Sequence, residues 1–154
     1  MSDLNRRAFI GLLRLVGIMA LLLFVPAWTV AYWQAWLFLA VFFAAMLALT
    51  LYLMKHDPKL LERRLYGGPR AEKEKGQKII IYFAVVVFVA MVVFPALDHR
   101  FAWSHAPWQA VVAGDGLVAL GSVLIFFVFK ANSFTAAIIN VDREQKVVSN
   151  GPYA

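Results

Sequence analysis

The sequence predicts an all-α fold: a polytopic membrane helical bundle with four transmembrane helices and a short cytoplasmic interfacial helix. Three observations carry that expectation. Hydrophobic residues fill 62% of the 154 positions and charged ones only 16%, against about 45–50% and about 25% in soluble domains. The apolar excess is gathered into four runs, each near the about 20 residues that a helix needs to cross a bilayer. An unpaired strand cannot cross lipid and the runs show no barrel-like alternation, so they are helices.

The chain is read as one membrane domain over 1–154, with spans near 8–30, 35–54, 79–97 and 108–129. The first run follows Arg6 and Arg7 and resembles a signal peptide, but it exceeds the about 7–15 residues of a signal h-region, so we read a retained span. Arg14 lies about two turns inside it, within snorkelling reach of the interface. In the second span Ala40, Ala44 and Ala48 recur at every fourth residue and share one helix face. Small residues in such a row let a partner helix approach closely.

The loop 55–78 opens with Asp57-Pro58, a helix start in which Asp caps free backbone N–H groups and Pro suits the first turn. Leu60, Leu61 and Leu65 then face one way, and Lys59, Glu62, Arg63 and Arg64 mostly the other. That pattern predicts a short helix lying on the membrane surface, ended by Gly67-Gly68-Pro69.

Orientation follows from the basic residues. The loop 55–78 holds eight Lys and Arg, the N-terminus Arg6 and Arg7, and the tail Lys130, Arg143 and Lys146, whereas the connection after the third span holds only Arg100. Both termini and the long loop are therefore expected in the cytoplasm. All five tryptophans (Trp28, Trp33, Trp36, Trp103 and Trp108) flank the two opposite connections, as an interfacial aromatic belt would. The net charge of +6 is thus a membrane-orientation signal, and no nucleic-acid partner is expected.

Candidate chemistry is sparse. There is no cysteine, which excludes disulfides and cysteine-based metal or redox sites. His56, His99 and His105 have no metal-ligand spacing, so no metal is expected. Asp98, His99, Ser104 and His105 share one loop but lack the nucleophile-elbow context of a hydrolase. No phosphate loop or dinucleotide glycine fingerprint is present. Asp115, between Gly114 and Gly116, is the one carboxylate inside a span. An interhelical hydrogen bond, or reach to the outer interface, is its simpler reading; a proton or cation site facing the bundle is the functional one.

The segment 130–154 is different. Asn132, Thr135, Asn140, Gln145, Ser149 and Asn150 supply neutral donors and acceptors among Ile138, Ile139, Val141, Val147 and Val148. Branched residues of that kind are scarce in disordered tails. The mixture suits an uncharged or zwitterionic ligand with an apolar part.

The run Gln145-Lys146-Val147-Val148-Ser149-Asn150-Gly151-Pro152-Tyr153 resembles the isoprenylcysteine carboxyl methyltransferase family and the related phospholipid methyltransferases. There the last spans are joined by a cytoplasmic segment ending in Val-x-x-Gly-Pro-Tyr. Asn132 and Phe134 fall where that family often has Asn and an aromatic, and Asp57-Pro58-Lys59-Leu60-Leu61 is similar to its bacterial branch. The likeness is specific across 130–154 and loose over the spans. It implies methyl transfer from S-adenosylmethionine to a lipophilic small-molecule substrate, isoprenylcysteine-like or phospholipid-like, with membrane lipid as surroundings. It also implies that Gln145, Lys146, Val147 and Val148 and the ring of Tyr153 enclose the cofactor, with Gly151 and Pro152 as the turn. The family usually has His where Gln145 stands, and Gln cannot titrate. Its following Arg-His-Pro-x-Tyr motif lies beyond Ala154, so the chain is expected to be an incomplete N-terminal portion that does not turn over alone. No catalytic residue is assigned.

Two other readings stand beside this one. The chain could be a four-span binding or scaffolding protein using the Ala40, Ala44 and Ala48 face as a helix–helix partner site, or a transporter-like or reductase-like protein using Asp115.

Overall fold

The computed structural model describes residues 3–65 and 75–131. Five helices lie within them: α1 (Asp3–Ala27), α2 (Trp33–His56), α3 (Pro58–Leu65), α4 (Lys75–Phe101) and α5 (Trp108–Ala131). Four of them, α1, α2, α4 and α5, are long and apolar enough to cross a membrane. The all-helical expectation therefore holds. The helices overrun the apolar runs, most clearly in α4, which starts at Lys75 and continues through Asp98 and His99 to Phe101. Extending the helix satisfies backbone groups that would otherwise need water near lipid.

Two of the long helices end without glycine. Trp28, just after α1, has φ of 58° and donates its N–H to the Phe24 carbonyl at 3.0 Å and the Val25 carbonyl at 3.2 Å, a left-handed cap. Ala102, just after α4, has φ of 51°, and the next residue, Trp103, donates to the Asp98 carbonyl at 3.3 Å. That bond spans six residues, as in a Schellman cap.

Asp57 serves two helices. Its N–H closes α2 on the Leu53 carbonyl at 2.9 Å, and its Oδ1 accepts from the Leu60 N–H of α3 at 2.9 Å. The cap expected from Asp57-Pro58 is therefore present. Leu60 and Leu61 are buried, and α3 packs on both α1 and α2.

The long helices lie in the order α4, α1, α2, α5, each packed on its neighbour. Among the described residues, α4 and α5, consecutive in the chain, do not pack on each other. One apolar cluster joins Met19, Leu23, Ala27, Tyr32, Ala35, Leu39, Val92 and Ala96 at the tryptophan-bearing end. A second joins Ala8, Leu53, Leu60, Leu61 and Phe129 at the α3 end. Ala27, Ala35 and Ala96 are buried and allow close helix approach. Ala40, Ala44 and Ala48 instead are all exposed, as is Arg14. Much of α4, including Ile79, Phe83, Met91 and Phe94, is also exposed, the pattern of a helix whose solvent is lipid.

Candidate functional site

The two ends of the bundle carry different chemistry. At the α3 end, Arg64 places its guanidinium carbon 4.2 Å from the centre of the Phe129 ring. Its head is crowded enough that burial lowers its pKa, although the residue as a whole keeps accessible surface and an arginine remains charged at any physiological pH. Arg64 also lines a pocket of about 190 Å³ with Ala8, Gly11, Leu12, Thr50 and Leu53. The last turn of α5, from which 132–154 continue, is thus fixed against α3.

At the other end, Tyr32 organises the α1–α2 connection. Its ring stacks on His99 at 4.1 Å, and its hydroxyl donates to the Pro95 carbonyl at 3.3 Å. Burial first, and the charge of Asp98 second, raise the Tyr32 pKa. Asp98, in the last turns of α4, accepts from Ser104 Oγ at 2.7 Å, so the Ser and Asp expected to share a loop do meet. His99 is turned to Tyr32 instead, and no hydrolytic relay forms among the described residues.

Where α4 and α5 stay apart, a cleft of about 570 Å³ opens between them. Its walls come from Phe88, Met91, Val92, Pro95 and His99 of α4 and from Ala110, Val111, Gly114, Asp115 and Val118 of α5, with Gln34, Ala35, Phe38 and Phe42 of α2 between them. The walls are apolar but for Tyr32, Gln34, His99 and Asp115.

Asp115 is only 9% exposed, and its Oδ2 is buried without a hydrogen-bond partner, as is Oε1 of Gln34. Neither the interhelical hydrogen bond nor the outward reach expected of Asp115 is found among the described residues. The carboxyl faces a cavity. Residue patterning missed Gln34 as a companion. Its signal was being the one amide in the first turn of an otherwise apolar helix, facing the same way as Phe38 and Phe42.

The residues expected to hold a cofactor (Gln145, Lys146, Val147, Val148, Gly151 and Tyr153) lie outside the described residues, as do Asn132 and Phe134. Among the described residues no group of three His, Asp or Glu side chains could hold a metal. Comparison of the chain with protein-family models, curated proteins and solved structures finds no match.

Proposed function

We propose that this chain belongs to an S-adenosylmethionine-dependent methyltransferase acting on a lipophilic acceptor at the cytoplasmic face of a bacterial inner membrane. The run Gln145 to Tyr153 carries the reading. The Arg64–Phe129 contact supports it, because it brings the last turn of α5, which precedes that run in the chain, to α3. In this reading α3 lies in the interface, with Leu60 and Leu61 inward, and both termini are cytoplasmic.

The sulfonium of the cofactor makes its methyl group electrophilic. When bound, it would supply that methyl to an acceptor lone pair as its C–S bond breaks, leaving the neutral thioether. The protein's part is to align donor and acceptor and exclude water. By the resemblance, Gln145 to Val148, Gly151 and Tyr153 would hold the cofactor. The apolar pocket beside Arg64 lies at the same end and suits the hydrophobic portion of an acceptor.

Equilibrium binding of radiolabelled S-adenosylmethionine to the chain in nanodiscs tests the proposal. Saturable binding that falls at least tenfold in Gly151→Leu supports it; binding unchanged by that substitution overturns it.

A second reading has its own observation. Ala40, Ala44 and Ala48 are exposed together on α2, on a face well away from Phe38 and Phe42. A binding or scaffolding protein would use that row against a partner helix.

A further inference from the structure

The cleft between α4 and α5 is lined by the first half of α5, away from its last turn. Its volume, about 570 Å³, is within the range of about 300–1,000 Å³ of small-molecule sites. Apolar walls with a few convergent polar groups are the usual composition of such a site.

Two atoms of these polar groups are orphaned. Asp115 Oδ2 and Gln34 Oε1 are both acceptors, both buried, and both without a donor. Buried polar atoms in folded proteins are rarely left so. A carboxylate within a span is costly and normally faces a partner or a functional cavity. Asp115 has no ion pair among the described residues, and His99, the one ionisable nitrogen on the walls, is stacked on Tyr32. A ligand that completes this cleft therefore brings positive charge and more than one N–H donor on an apolar body.

We propose that the cleft binds a single-chain lipophilic amine. Its ammonium donates to Asp115 and Gln34, and its chain lies along Phe38, Phe42, Phe88 and Met91. An ammonium has three donors and no acceptor, which matches two orphan acceptors. An alcohol has one donor and no charge, and a fatty acid would set a second carboxylate beside Asp115.

The test uses the full chain in phosphatidylcholine nanodiscs with a diazirine-bearing dodecylamine, photolysed and mapped by mass spectrometry. Two variants separate binding from folding. Asp115→Asn keeps the shape and removes the charge. Gly114→Leu narrows the cleft, and a Cβ there meets nothing within 4 Å, so the side chain can leave the backbone without a clash at its first carbon. Both should retain the helicity and monodispersity of the parent.

Saturable labelling of the cleft residues is expected, displaced by dodecylamine and at least tenfold less well by dodecanol or dodecanoate. Asp115→Asn and Gly114→Leu should each lower it at least tenfold. Labelling spread evenly along the lipid-facing residues of α4 overturns the proposal. So does equal competition by dodecanol, displacement by phosphatidylethanolamine doped into the disc at equal concentration, or labelling undiminished in Asp115→Asn.

Discussion

Arg64 sits over the ring of Phe129, 4.2 Å from its centre, and so ties the eight-residue α3 to the last turn of α5. A basic residue expected on the solvated side of a surface helix thereby takes a structural place. Such a contact contributes about 0.5–1 kcal/mol at exposed sites. Phe129→Leu should keep the helical content and lower the protection of the α3 amides about two- to fivefold in hydrogen exchange. Unchanged protection would show that the ring contact does not hold α3.

Asp57→Ala removes the side-chain acceptor of the Leu60 N–H. Loss of such a cap costs about 0.5–2 kcal/mol. Amide exchange in Pro58–Leu65 should therefore accelerate several-fold, with α2 little affected beyond its last turn. Asp57→Asn, which retains an acceptor, should recover most of the protection.

Ala102 adopts a left-handed conformation without being glycine. Glycine there removes the Cβ conflict at a position where helices usually carry it, worth about 1 kcal/mol. Ala102→Gly should raise the unfolding midpoint of the protein in detergent. A lowered midpoint would mean that the Ala102 methyl does more than tolerate its backbone angle.

Tyr32 supplies a pH dependence. Its pKa is raised, by burial and then by Asp98, so the folded protein prefers the neutral phenol. That contribution is whole below pH of about 10, the ordinary tyrosine value, and is lost as pH rises through the folded value. Stability against unfolding in detergent should fall more steeply above pH 10 in the parent than in Tyr32→Phe. Near neutrality Tyr32→Phe should cost about 0.5–1.5 kcal/mol through its bond to the Pro95 carbonyl. Equal steepness in the two proteins would assign the alkaline loss to other groups.

Local rules account for much of the fold. Four apolar runs became the four long helices, because lipid leaves the backbone no other partners. Asp57-Pro58 became the start of α3 because an Asx cap depends only on residues three apart. The helix order did not follow from such rules. Nothing in the amphipathic pattern separates α4 from α5, since both are apolar all round and helix neighbours in lipid are not marked by hydrophobicity. Asp115 stood out in the sequence, but its cavity depends on that separation and on Gln34, about eighty positions away in the chain. The alanine row was legible as a shared face of α2; the alanines that pack inside the bundle are Ala8, Ala27, Ala35 and Ala96.

The methyltransferase reading rests on the run Gln145 to Tyr153, and cofactor affinity reads it without the need for an acceptor. Titration of S-adenosylmethionine into the chain in nanodiscs should show one saturable site, with affinity lowered at least tenfold by Tyr153→Ala and unchanged by Ala44→Leu. Absence of saturable binding, or equal affinity in Tyr153→Ala, would contradict the account.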